Sequence, residues 1–262
     1  MSDGTSPALA VSALTKSYGS VVAVDDVTLE VADGQRLAVI GPNGAGKSTL
    51  FALVAGTLRP TAGAVSLFGE DVTRLRDHQR ARRGLVKTFQ HSSVFTAMTL
   101  LDNVLLSTQR THGRASRPFG RSNRLAVEAA RRSLEQVGLA DRAGVLAGSL
   151  SHGERRQLEV ALALGVNPRV LMLDEPTAGM SAAETERFVQ LISGLPREIT
   201  VLIIEHDLDV VFSVADRVTV MHLGAVIESG TPDEVRASEL VQQTYLGATP
   251  EFSDLTQGGT LR

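Results

Sequence analysis

The sequence predicts an α/β fold in which a mostly parallel sheet is flanked by helices, with an antiparallel β subdomain and a small helical subdomain attached. Three observations carry this reading. Short, wholly apolar runs, Leu37–Ile40, Val170–Leu173 and Val201–Ile204, are separated by stretches with helical spacing, the pattern of strands buried on both faces. Near the start of the chain the pattern changes to alternation, in Leu9–Leu14 and Val21–Val31, with Gly19 and Gly34 as breaks. Between about residues 91 and 165 helical patterns follow one another, which marks out the helical subdomain.

The elements follow in order. The two alternating segments predict antiparallel strands, and RLAVIG (Arg36–Gly41) a strand opening directly onto a helix over Lys47–Ala55. Short strands are expected at Val65–Phe68 and Val86–Phe89, then helices near Leu100–Ser107, Leu125–Val137 and Glu154–Leu164. The second half reads strand Val170–Leu173, helix Ala183–Leu195, strand Thr200–Ile204 and helix Leu208–Val214. Strands at Val218–Met221 and Ala225–Ser229 and a small helix from Pro232 complete the set; proline suits a first helical position. Residues 1–7 and 248–262 read as flexible tails around one domain spanning 8–247. No internal repeat is visible.

Composition narrows the function. With 262 residues and 43% hydrophobic content the chain can bury a sizeable core. A formal charge of −3 argues against a nucleic-acid binder, which normally carries a basic excess. The chain has no cysteine, so disulfides and thiolate metal sites are excluded and a reducing compartment is expected. Neither a signal peptide nor an apolar run near the ~20 residues of a bilayer span is present, so a cytoplasmic protein is expected.

The strongest chemical signal is GPNGAGKST, Gly41 to Thr49. It matches G-x-x-x-x-G-K-[ST] and stands between an apolar strand and a helix, the context such a phosphate loop requires. Its glycines let the loop Pro42-Asn43-Gly44-Ala45-Gly46 curl, so that the backbone N–H groups from Asn43 on to Thr49 turn towards a phosphate. Lys47 supplies a point charge to the β- and γ-phosphates, and Ser48 a hydroxyl for Mg²⁺. In VLMLDEP (Val170–Pro176), the strand ends in Asp174, whose carboxylate stands where it can hold Mg²⁺ through water, followed by Glu175, which can orient or deprotonate an attacking water. A third stretch, SLSHGERRQLEV (Ser149–Val160), places Ser151 as the N-cap of a helix with Glu154 at the capping-box spacing. Such a helix start is also a ready anion site.

With these residues the chain resembles the nucleotide-binding subunits of ABC transporters over about Leu9 to Gly247: a P-loop NTPase of ABC type. On that resemblance Ser151-His152-Gly153-Glu154 is the signature, Gln90 in TFQ the Q-loop glutamine, His206 in IIEHD the switch histidine, and Tyr18 the aromatic that stacks on adenine. It implies ATP and Mg²⁺ as cofactors, with Ser48, Gln90 and Asp174 around the metal and Glu175, His206 and Gln90 in catalysis. Ser151 and Gly153 are expected to clasp the γ-phosphate of an ATP on the P-loop of a second subunit, identical or paralogous. Two departures stand out. LSHGE replaces the commoner LSGGQ, and Ser181 stands where many members have aspartate, which removes any subunit-crossing contact made by an aspartate side chain.

LSHGERRQLEVALAL, LDEPTAGMSAAET, TVLIIEHDLDVVF and the terminal YLG are similar to the ATPases of branched-chain amino acid importers and their amide and urea relatives. The resemblance implies docking on separate transmembrane permease subunits, hence a peripheral position on the inner membrane face, and indirect dependence on a solute-binding protein. His91–Val104 is the expected docking surface; Phe95 and Met98 either contact a permease helix or are buried in the helical subdomain. Ser107–Arg124 carries five arginines and no acid; it is either a solvated connection or a contact for lipid head groups or an acidic partner face. Other readings compete. The ATPase of an envelope lipid or lipopolysaccharide exporter shares the layout. A soluble ABC ATPase acting on nucleic acid or ribosomes would show tandem cassettes or coiled-coil insertions, and a small-molecule kinase leaves Ser151–Glu154 unexplained.

Overall fold

A computed structural model describes residues 6–88, 94–112 and 121–246 of the chain. These residues form two compact units: one from the residues up to Asp77 together with those from Val201 onward, the other from His78–Thr200.

The first unit holds two sheets. Strands β1 (Leu9–Tyr18), β2 (Val21–Val31), β4 (Ala62–Leu67) and β5 (Glu70–Asp71) form an antiparallel sheet in the order β2-β1-β4-β5. Leu9, Val11 and Leu14 of β1 are buried, and β1 pairs with β2 through Leu9↔Val31 and Val11↔Leu29 before bulges shift the register from Leu14 onward. The other sheet has β3 (Arg36–Ile40) at its centre, parallel to β8 (Thr200–Ile204) on one side and to β9 (Arg217–His222) on the other. All residues of β3 and β8 are buried, which is why their sequences read as continuous apolar runs. Strand β10 (Ala225–Gly230) returns antiparallel to β9 and is mostly half-buried. Helices α1 (Lys47–Ala55), α7 (Leu208–Val214), α8 (Pro232–Ala237) and α9 (Glu239–Leu246) belong to this unit. Two of these starts are capped by side chains: Asp207 caps α7, and Thr231 with Glu234 forms a capping box around Pro232 at the start of α8.

The second unit pairs β6 (Leu85–Lys87) in parallel with β7 (Val170–Asp174), Lys87 opposite Met172. Its helices are α2 (Asp77–Ala81), α3 (Leu100–His112), α4 (Arg121–Gln136), α5 (His152–Leu164) and α6 (Ala182–Gly194), with 3₁₀ turns at Ala140–Arg142 and Ala147–Ser149. The helical faces follow the four-residue spacing. Leu100, Val104 and Thr108 of α3 are buried, as are Ala126, Ala130 and Leu134 of α4, and the Thr108 hydroxyl donates to the Ala126 carbonyl at 3.1 Å.

Two expected helix bounds need correction. The helices expected near Leu100–Ser107 and Leu125–Val137 are α3, which continues to His112, and α4, which begins at Arg121 and ends at Gln136; the residues of Ser107–Arg124 between them lie outside the described set. Arginine is a good helix former, so a run of like charge does not by itself stop a helix. The small helix expected from Pro232 is α8, closed by the extended backbone of Ser238 before α9 begins. The five-residue α2 and two-residue β5 are too short to register as patterns.

Candidate functional site

In the first unit the chain leaves β3 into the loop 41–46 and enters α1. Gly41, Gly44 and Gly46 have φ of 151°, 81° and 99°. A methyl group at Gly41 would lie 2.2 Å from the Met221 carbonyl oxygen, and one at Gly46 only 2.3 Å from that of Ala23. Glycine is required at both positions by backbone approach as well as by conformation. At Gly44 a methyl would meet nothing within 4 Å, so only the left-handed backbone asks for glycine there. The amide of Ala45 donates to Pro42 at 3.1 Å, and Gly224 donates to Ala45 at 3.0 Å, which ties the loop to the β9–β10 turn. Asn43 and Gly44 are exposed at its tip.

The Lys47 ammonium is buried and folds back on the loop, donating to the Gly41 carbonyl at 2.5 Å and the Pro42 carbonyl at 3.1 Å. Gly46 caps α1 without a side chain, and no acid stands in its first turn. The positive helix end is therefore open to an external anion. A phosphate chain fits this cradle. Ser48 is exposed beside it and Thr49 half-buried.

Tyr18 ends β1 with its ring 52% exposed, and the Lys16 ammonium lies 5.1 Å from the ring centre. His206 follows β8. Its ring is largely exposed, while its backbone N–H donates to the carboxylate of the fully buried Glu205 at 3.1 Å, with the ring Nδ1 3.7 Å from the same oxygen. Nothing in the sequence pattern distinguishes Glu205 from an ordinary strand-end acid.

In the second unit Asp174 ends β7 and is buried, its Oδ2 paired with the Lys87 ammonium at 2.8 Å. Lys87 is absent from the sequence-based expectations; the neighbouring strand β6 carries it to the acid. Glu175 is half-buried at φ 45°, a left-handed conformation uncommon for a residue with a side chain and shared among the described residues with Ala13, Asp26, Phe68, Asn167 and Leu223. Gln90 lies outside the described residues. Oxygen donors of the Ser48 and Asp174 kind suit Mg²⁺. Among the described residues no group of three or more His, Asp or Glu gathers into a metal cage.

Ser151 caps α5 as expected. Its Oγ accepts from the Glu154 N–H at 3.2 Å, and its own N–H donates to Glu154 Oε2 at 2.9 Å. Glu154 also pairs with Arg142, and its carboxyl titrates below the ordinary range, first because of the Ser151 N–H. The His152 ring is hydrogen-bonded to the Ala178 carbonyl at 3.0 Å, so the histidine of LSHGE ties this turn to the segment after Glu175.

Glu184, in the first turn of α6, is the unanticipated member. Its Oε1 accepts from the Ser151 hydroxyl and the Gly153 N–H, both at 3.1 Å, and its Oε2 accepts from the Ser181 N–H and hydroxyl at 3.1 and 2.9 Å. These donors, the Ser181 backbone N–H foremost, hold its pKa at about 2. The S-x-x-E spacing of Ser181–Glu184 is readable as a helix start; its reach to the neighbouring helix is not.

Phe95 is 57% exposed and Met98 half-buried. The buried Asn103 shapes their loop, accepting from the Phe95 N–H at 2.8 Å and donating to the Phe95 and Thr99 carbonyls at 3.0 and 2.9 Å. Leu146, bridged to Thr99, is also exposed. No helix among the described residues is long and apolar enough to cross a membrane.

Comparison with known proteins agrees with this geometry. The family profile described as ABC transporter matches residues 24–178. The high-affinity branched-chain amino acid transport ATP-binding protein BraF of Pseudomonas aeruginosa is 42% identical over 250 residues, covering 92% of this chain and 98% of the relative. The lipopolysaccharide export system ATP-binding protein LptB of Acidithiobacillus ferridurans is 38% identical over 240 residues, covering 91% and 96%. The solved ADP conformation of MJ1267, an ATP-binding cassette of an ABC transporter, superposes with a TM-score of 0.81 at 30% identity, over 93% of this chain and all of the other. The chain belongs to the ABC transporter family and is one of its ATP-binding cassettes.

Proposed function

We propose that this cassette binds and hydrolyses MgATP to power a multi-subunit importer for branched-chain or related amino acids. The observation that supports it most is the loop 41–46, whose Gly41 and Gly46 have no room for a methyl group and whose following lysine is held inward over a helix start that no side chain caps. In this reading the N–H groups of residues 43–49 and the Lys47 ammonium bind the β- and γ-phosphates, and Tyr18 stacks on adenine. Ser48, Gln90 and Asp174 hold Mg²⁺, which when bound neutralises phosphate charge. Lys87 leaves Asp174 or shares it. Glu175 orients the attacking water, and its φ of 45° fixes where its carboxylate is presented. His206 contacts the γ-phosphate side, its backbone anchored by Glu205.

The signature supplies the second half. Ser151 and Gly153 receive the γ-phosphate of an ATP on a second cassette, so nucleotide is the adhesive of a head-to-tail pair. Exposed Phe95, on a loop fixed by Asn103, and exposed Leu146, bridged to Thr99 of that loop, offer an apolar contact to a permease helix, with Gln90 linking that surface to the nucleotide. The domain spans 8–247, with residues 91–165 as the lobe that meets the permease. The amino-acid assignment rests on the identity to BraF. The similarity to LptB favours a second reading, the ATPase of a lipopolysaccharide exporter. Reconstitution with the cognate permease in proteoliposomes separates them: ATP-dependent uptake of leucine, isoleucine or valine supports import, and release of lipopolysaccharide without uptake supports the alternative.

A further inference from the structure

The donors that this reading assigns to a partner's γ-phosphate are already engaged. The Ser151 hydroxyl has one proton, and the capping box fixes the oxygen's orientation by using it as the acceptor for the Glu154 N–H. That proton points to Glu184 Oε1, and so does the Gly153 N–H, both at 3.1 Å. One carboxylate oxygen therefore sits where two donors converge, as a phosphate oxygen would. It sits so close that a methyl group at Gly153 would come within 2.7 Å of it. The other oxygen is held by Ser181, so the side chain is anchored in this position rather than passing through it.

We propose that Glu184 is a positioning residue that occupies the signature donors as an internal substitute for the partner's γ-phosphate and must be displaced for two cassettes to close. The inference rests on the signature reading of Ser151 and Gly153. Two anions cannot share the same two donors, because their charges repel at that separation. Closure on ATP therefore exchanges the two Glu184 hydrogen bonds for two phosphate hydrogen bonds, with Ser181 retaining the carboxylate nearby. ADP brings no γ-phosphate to make the exchange, so the donors stay with Glu184. The residue thus raises the threshold for closure and sharpens discrimination between triphosphate and diphosphate.

The test uses the full chain with Glu175→Gln, which blocks turnover, and measures the dimer dissociation constant by sedimentation in saturating MgATP. Adding Glu184→Gln keeps a side chain able to accept in the Ser181 capping box while removing the charge. It should tighten the ATP dimer roughly fivefold, the scale of one exposed charge contact. Glu184→Ala should tighten it as well, and both should raise the fraction of dimer seen with ADP. A fold that merely lost a helix cap would weaken the dimer instead. An unchanged or weaker ATP dimer in Glu184→Gln overturns the proposal, whether or not Glu184→Ala folds. Ser151→Arg in the same background is the separate control. If that variant still dimerises on ATP, the signature reading itself is wrong; if it does not, the Glu184 result stands on its own.

Discussion

Gly46→Ala measures how tightly the phosphate loop is packed. At φ 99° an alanine backbone is strained by about 1–2 kcal/mol. Its methyl carbon would stand 2.3 Å from the Ala23 carbonyl oxygen, which belongs to the ladder of β2 and cannot swing aside as a side chain could. Overpacking of that kind adds about 1–3 kcal/mol. The loss of freedom in the unfolded chain returns about 0.4–1 kcal/mol. The net destabilisation is about 2–4 kcal/mol, which in a chain of this size lowers the melting temperature by roughly 5–15 °C. Gly44→Ala is the matched comparison: its φ is also positive, at 81°, but a methyl there meets nothing within 4 Å. Only the conformational strain remains, so its melting temperature should fall by no more than about 5 °C. Thermal melts followed by circular dichroism, without nucleotide, read both shifts. Equal shifts in the two variants, or a Gly46→Ala protein melting with the wild type, would refute the packing argument.

Lys47→Ala removes the ammonium from the phosphate cradle, and calorimetry should record at least a tenfold loss of MgATP affinity, the scale of one charge-assisted contact; binding within about twofold of wild type contradicts the assignment. Acid dependence follows from Glu184. Its folded pKa of about 2 lies below the unfolded carboxylate value of 4.5, so its contribution to stability is present above pH 4.5 and is lost as the pH falls towards 2. Glu184→Gln should accordingly melt below the parent at pH 7, with the gap closing between pH 4.5 and pH 2; a gap that does not change with pH removes Glu184 from the acid response.

Where structure depends on neighbours in sequence, the sequence already contained it. The bounds of α1 and α7 coincide with the expected segments because local signals mark them, Gly46 and Gly56 around α1 and Asp207 at the start of α7; β8 coincides because its buried residues form one apolar run. Ser151 as an N-cap is legible for the same reason. What stays hidden depends on contacts between elements. Lys87 reaches Asp174 only because β6 lies beside β7, and Glu184 reaches Ser151 only because α6 begins next to α5. No spacing rule connects residues so far apart in the chain. Glu175 also gives no sign of its left-handed backbone, since a glutamate in sequence carries no mark of positive φ. The ends of α3 and α4 differ from expectation for another reason: clustered arginines suggest a loop, although arginine sustains a helix.

The most direct test of the central claim, that ATP is held between the phosphate loop of one cassette and the Ser151–Gly153 turn of another, is the mass of the Glu175→Gln chain in solution by light scattering. Glutamine keeps the shape of Glu175 but cannot take a proton from the attacking water, so bound ATP persists. Twice the single-chain mass is expected with MgATP, the single-chain mass with MgADP, and the single-chain mass with MgATP once Ser151→Arg is added. The same mass with ATP and ADP, or an ATP dimer that survives Ser151→Arg, would contradict it.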